Sequence, residues 1–283
     1  MPNSPKPQII EMLPLTGAAL KKPLDLARTG MPAAGSIHDV TELKPKAGRP
    51  AFRILHTTEL DTYETTPPAT KVPQLLRTKK ARSAAAVAAA LKAAPPTGDN
   101  YLGSARMAAK LSKANAKLEK FADLKKLIDS LPKQTVMENH KPKIDTGPKF
   151  GRVKEEQRNV SVKAFLYAAS READNDFHLI VGRDPKLTPE MYMTMEVSGL
   201  PPKNNAAFDF KDLKAARSAF KAYFGANLPG FTYDFYHPPR PVQIEGSLFW
   251  DATHAKGSRP GPPSLKSRMP VIWEVHPVTS IKL

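Results

Sequence analysis

The chain has 283 residues, enough for one large domain or for a smaller domain with an appendage. Its net charge is +16 and it contains no cysteine, which excludes disulfides and thiolate-held zinc or iron–sulfur sites. No apolar run approaches the ~20 residues of a membrane span, and Glu11 and Pro14 break the one signal-like stretch, so a cytoplasmic location is expected.

The charge is lopsided. Residues 1–150 carry 25 Lys/Arg against 13 Asp/Glu, whereas residues 151–283 carry 18 against 14. Such a surplus favours polyanionic partners through counterion release, or simply keeps a chain in solution. Sixteen of the 29 prolines precede residue 158. Residues 1–157 therefore read as an extended basic arm that orders by lying on something else, with little regular structure before about residue 70. One short strand is expected around Phe52–His56. "RSAAAVAAALKAA" predicts a helix near 82–94, stopped by Pro95.

A second helix is predicted near 104–131. Met107, Leu111, Ala114, Leu118, Phe121, Leu124, Ile128 and Leu131 recur at three- and four-residue steps, and lysines fill the remaining surface. A basic amphipathic helix suits a membrane surface, a partner protein or nucleic acid. The preferred reading instead buries Leu111, Leu118, Phe121 and Ile128 against the rest of the chain. Protein partners are expected to engage the arm and this helix.

Beyond residue 158 the period changes to two. "NVSVKAFLYAASRE", "FHLIVGRD" and "YMTMEVSG" read as three strands, the first two joined by the polar turn "ADND". "FDFKDLKAARSAFKAYFG" follows as a helix near 209–224, with Asp209 as N-cap, Leu213, Ala216, Phe220 and Tyr223 as its buried stripe, and Gly225 as its stop. "PVQIEGSLFWD" and "VIWEVHPVTSIKL" complete five strands. Strand–strand–strand–helix–strand–strand is the order of an OB-fold barrel, in which Gly182 and Gly246 would allow sharp coiling. The expected fold is thus α+β overall: an all-β, OB-like five-stranded barrel at 158–283 preceded by the arm. Pro277 predicts an edge or a bulge in the last strand, and alternation places Glu274 and His276 on its exterior.

Two segments carry a resemblance. "VQIEGSLFWDATH" supplies Gly246, Leu248, Phe249, Asp251 and His254, and "WEVHPVT" supplies Trp273 to Thr279. The last ~125 residues resemble a little-characterised bacterial family of OB-like domains. Its members end in Trp-Glu-Ile-His-Pro-Val-Thr after a Gly-x-Leu-Phe-x-Asp-x-x-His strand end. Val275 departs conservatively from isoleucine. The resemblance implies a fold and no activity.

Asp174, Asp176, His178, Asp251, His254, Glu274 and His276 are the ligand-type residues of this region. A hydrolase or nuclease would place a metal on two histidines and a carboxylate, most naturally from Asp176, His178, Asp251, His254 and His276. The same residues also suit turns and exterior positions, and no His-Glu-x-x-His spacing, phosphate loop or nucleophile elbow is present. The expectation is therefore no cofactor and no tightly bound metal. The preferred function is a non-enzymatic module binding single-stranded nucleic acid or another polyanion. Lys163, Phe165, Tyr167 and Tyr192 would lie on the strands, with Lys256, Arg259, Lys266 and Arg268 in the last loop. An assembly role, with the arm ordering on partner subunits, is the alternative.

Overall fold

The structure, a computed structural model, describes residues 30–46, 49–60, 95–254 and 259–283. The helix expected near 82–94 and Lys256 lie outside the described residues. Among the described residues eight strands form one mixed sheet: β1 (Ile37–Leu43), β2 (Phe52–Thr57), β3 (Leu118–Phe121), β4 (Asn159–Arg171), β5 (Phe177–Gly182), β6 (Tyr192–Val197), β7 (Asp234–Trp250) and β8 (Trp273–Lys282). Their order is β1-β2-β7-β8-β6-β5-β4-β3, and β4 also pairs with β7. Pairing is antiparallel except between β6 and β8 and between β3 and β4.

This corrects the expected five-stranded OB-like barrel. The chain builds a β-rich, eight-stranded mixed sheet, and three of its strands come from the segment read as an arm. The physical reason lies in open strand edges, whose unpaired N–H and C=O groups recruit any extended segment that reaches them. β2 was expected from its sequence; β1, which covers the free edge of β2, was not.

The predicted 104–131 helix is also corrected. Its residues form α1 (Met107–Lys110), β3 and α2 (Leu124–Asp129), and α3 (Gln134–Glu138) follows. Competition for the backbone explains the break. Asn159 Nδ2 donates to the carbonyls of Ala114 and Ala116 at 2.8 Å each, and Ala114 N–H donates to Ser247 Oγ at 2.8 Å. Those partners displace the i→i−4 ladder where the local sequence, Ser-Lys-Ala-Asn-Ala-Lys, offers no apolar contact to defend it. Leu111 and Ile128 are buried as expected, Phe121 is half-buried, and Leu118 is 43 % exposed.

The last helix, α4 (Phe210–Phe224), lies where the period predicts and buries Leu213, Ala216 and Phe220. Gly225 ends it at φ 61°. Asp209 does not cap with its side chain; its carboxylate accepts from Lys113 N–H at 2.6 Å. Arg217 is the buried surprise of this helix. Its guanidinium bonds Asp99 at 2.8 Å and the Asn175 carbonyl at 2.9 Å, and lies 4.5 Å from the Phe177 ring centroid. It thereby fixes the β4–β5 turn, where Asn175 adopts φ 77°.

Pro277 falls in a bulge of β8 opposite β7, and Gly246 faces it. A Cβ on Gly246 would sit 2.3 Å from the Pro277 carbonyl oxygen, so the glycine is required by close backbone approach. Gly246→Ala is expected to cost about 1–3 kcal/mol, because the obstacle is main chain and cannot rotate away. Urea unfolding should show a lower midpoint at an unchanged m-value.

Candidate functional site

The exterior assignment of Glu274 and His276 is wrong: they are 1 % and 0 % exposed. Alternation correctly separates them from Trp273 and Val275, which join the apolar core. It does not reveal that the second face of β8 is covered. Residues 100–112 lie over it, and Arg152 clamps the cover. Arg152 donates to the carbonyls of His276 and Ala109 at 2.6 Å each, and to that of Leu248.

Beneath that cover five pieces of chain converge. The β4–β5 turn brings Glu172, Asp174 and Asp176. β5 brings His178, β6 brings Glu196, the end of β7 brings Asp251 and His254, and β8 brings Glu274 and His276. Sheet register explains the meeting. His178 pairs with Glu196 across β5–β6, and the parallel β6–β8 ladder aligns Thr194 with Glu274, so the acids and imidazoles fall side by side. Glu172, Asp174, His254 and Lys110 form the rim, with side chains 14–16 % exposed, while Asp176, Glu196, Glu274 and His276 form the buried floor.

The floor is electrostatically unbalanced. His276 Nε2 lies 3.3 Å from Asp176 Oδ2, and its Nδ1 lies 3.4 Å from Glu196 Oε2 and 3.6 Å from Glu274 Oε2. None of these atoms has a hydrogen-bond partner among the described residues, and neither does Glu274 Oε1. Leaving such a buried group unsatisfied costs about 1–3 kcal/mol each, so their convergence calls for an explanation. Burial, then repulsion from Asp176, raises Asp174 to about 7. Burial, then Glu196, raises Asp176 to about 8 and lifts Glu274 well above the carboxylate range. Burial opposes ionisation of Glu196 as well, but the facing His276, then Lys110 and His178, hold it below its ordinary value.

The two floor-facing imidazoles differ. Burial depresses His276 to about 3, so it is neutral with a lone pair to offer. Burial also works against protonation of His178, yet Glu172 and Glu196 raise it well above its ordinary value. His178 Nδ1 bonds Glu172 Oε1 at 2.7 Å. It acts as a cation among acids, whereas His276 is ready to ligate.

Donor atoms of three sets lie within 4.8 Å of one another: Asp176/Glu196/His276, Asp251/His254/Glu274 and Glu172/His178/Glu196. The first combines two carboxylates with one neutral imidazole, a donor set suited to zinc, manganese or iron. Asp251 contacts His254 Nδ1 and also accepts from Thr253 N–H at 2.9 Å.

All five metal candidates expected from sequence, Asp176, His178, Asp251, His254 and His276, are thus brought together. Glu196 was missed. A signal for it existed, because β5, β6 and β8 each set an acid or histidine between apolar residues, in "FHL", "MEV" and "WEVH". The residues expected to bind a polyanion fare differently. Tyr167 and Tyr192 are 1 % and 0 % exposed and pack edge to face at 4.9 Å, so neither offers a stacking surface. The strands place them on a second covered face, where Gly182 fits against both rings. Lys163 is exposed and Phe165 half-buried beside a groove of about 490 Å³ that also reaches Asp123, Asp184 and Lys282. Arg259 is exposed, Lys266 is half-buried, and Arg268 pairs with Glu190 at 2.9 Å.

No helix among the described residues is long and apolar enough to cross a membrane. Comparison with protein families, curated proteins and solved structures returns no match to this chain.

Proposed function

We propose that this protein is a divalent-metal-dependent hydrolase, with Asp176, Glu196 and His276 holding the ion. One observation carries the reading: buried atoms of these side chains without a hydrogen-bond partner among the described residues flank the His276 ring, Asp176 at 3.3 Å from Nε2 and Glu196 at 3.4 Å from Nδ1, and one donor atom from each of the three lies within 4.8 Å of the others. A cation placed among them would satisfy the acceptors and offset the charge that otherwise forces protons onto the carboxyl groups. An ion held by these residues would lower the pKa of a water in the site and so provide the nucleophile at neutral pH.

Hydrolysis rather than a purely structural role is supported by what surrounds the set. Lys110 Nζ lies 3.7 Å from Asp174, and the Tyr101 hydroxyl is buried without a hydrogen-bond partner among the described residues. Neither group is needed to hold an ion. Each is suited to a substrate, Lys110 as a cation toward an anionic oxygen and Tyr101 as a hydrogen-bond donor. Burial pushes the Tyr101 hydroxyl well above 10, so it keeps its proton. The overall +16 charge draws anionic substrates. In the reaction, the oxygen of water bonds to the electrophilic centre, the scissile bond breaks with its electron pair on the leaving group, and that group takes up a proton.

Protein stripped with chelator and titrated with Zn²⁺ or Mn²⁺ should bind tightly, and His276→Ala should weaken binding at least tenfold. Failure of the parent protein to take up either ion, or an unchanged affinity in the variant, defeats the reading.

A further inference from the structure

We infer that the centre holds a second divalent ion, on Asp251, His254 and Glu274, and that its substrate is a phosphate ester. This inference rests on the hydrolase reading above.

The second donor set abuts the first, since Glu274 Oε2 lies 3.6 Å from His276 Nδ1. Glu274 and His276 stand two residues apart on β8 and so project from the same face of the strand. Glu274 is 1 % exposed, and both its oxygens lack a hydrogen-bond partner among the described residues. One ion at the first set would leave them so. Charge points the same way. Asp176, Glu196, Asp251 and Glu274 bring four carboxylates to the two sets. One divalent ion offsets half of that charge and two offset all of it. Lys110 cannot make up the difference, because it already faces Asp174 at the rim.

Two adjacent ions favour a reaction in which charge develops on both the attacking and the departing oxygen, as in phosphoryl transfer. Lys110, at the rim 3.7 Å from Asp174, places an ammonium group beside the two sets, which suits a non-bridging phosphate oxygen. The step balances. A water oxygen bonds to phosphorus while the phosphorus–oxygen bond to the leaving group breaks. Water gives up one proton to solvent, and the leaving oxygen takes one up from solvent.

The test uses the full chain loaded with Mn²⁺. The parent should take up two ions per chain and show an exchange-coupled electron paramagnetic resonance signal. Asp251→Asn/His254→Ala should retain one ion with an uncoupled six-line spectrum. Hydrolysis of bis(p-nitrophenyl) phosphate or p-nitrophenyl phosphate by that variant should fall at least tenfold. One ion per chain in the parent overturns the inference while leaving the single-ion hydrolase standing, and this result needs no variant to fold. No bound ion overturns both. Cleavage of p-nitrophenyl acetate with neither phosphate ester cleaved overturns the substrate class alone.

Discussion

Glu274→Met is expected to stabilise the metal-free protein by about 1–3 kcal/mol, the cost of a buried polar group without partners. It should also reduce the stabilisation that metal confers. Glu274 is buried, its oxygens have no hydrogen-bond partner among the described residues, and burial followed by repulsion from Glu196 lifts its carboxyl group well above the usual range. A methionine of similar length removes the polar oxygens while still packing against Phe249 and the β7–β8 ladder. In the parent, metal at a thousandfold excess over its dissociation constant should add about 4 kcal/mol by mass action. The two effects have opposite signs in one variant. Denaturant unfolding with and without Mn²⁺ checks both. If Glu274 serves only the fold, Glu274→Met will destabilise the metal-free protein, and metal will act alike on the two chains.

Glu156→Ala is expected to cost about 3–5 kcal/mol, because it strands a buried guanidinium. Glu156 is 0 % exposed. It accepts from both terminal nitrogens of Arg106 at 2.7 and 2.6 Å, and from the backbone of Trp250 and Val153 at 2.8 Å each. Arg106 also donates to the carbonyls of Trp250 at 3.1 Å and Gly151 at 2.7 Å, and its guanidinium lies 4.7 Å from the Phe249 ring centroid. This pair fastens residues 100–112 over β7 and β8 and therefore roofs the acid–histidine centre. Glu156→Gln keeps the volume and the acceptor but loses the charge, so it should cost less than the alanine. Thermal unfolding ranks the three chains; equal stability of the alanine variant and the parent would refute the roofing role.

Legibility differed by element. The strands after residue 158 and helix α4 were readable, because each has a strict apolar period that local sequence alone sustains. The 104–131 segment has an equally regular period and yet is not one helix. Asn159 and Ser247, far away in sequence, take the backbone groups of residues 114–116. A helical period states which residues are apolar, not who competes for the peptide groups between them. Tyr167 and Tyr192 misled for a related reason: alternation put them off the main core, and a second apolar cluster with Leu55, Phe235, Leu265 and Met269 closes over them.

The candidate centre shows the same division. Sequence alone determined that acids and histidines alternate with apolar residues on β5, β6 and β8, that Asp251 and His254 follow the β7 segment, and that Pro277 calls for an edge or a bulge. These follow from backbone geometry, which any strand obeys wherever it lies. Only the tertiary structure decided that this alternate face is interior. The parallel pairing of β6 with β8 set Glu196 beside His276, and residues 100–112, held by Arg106 and Arg152, shut out the water that would otherwise have solvated them. Solvation makes the difference: an alternating acid in water is an ordinary charged surface, and the same acid without water needs a counter-ion.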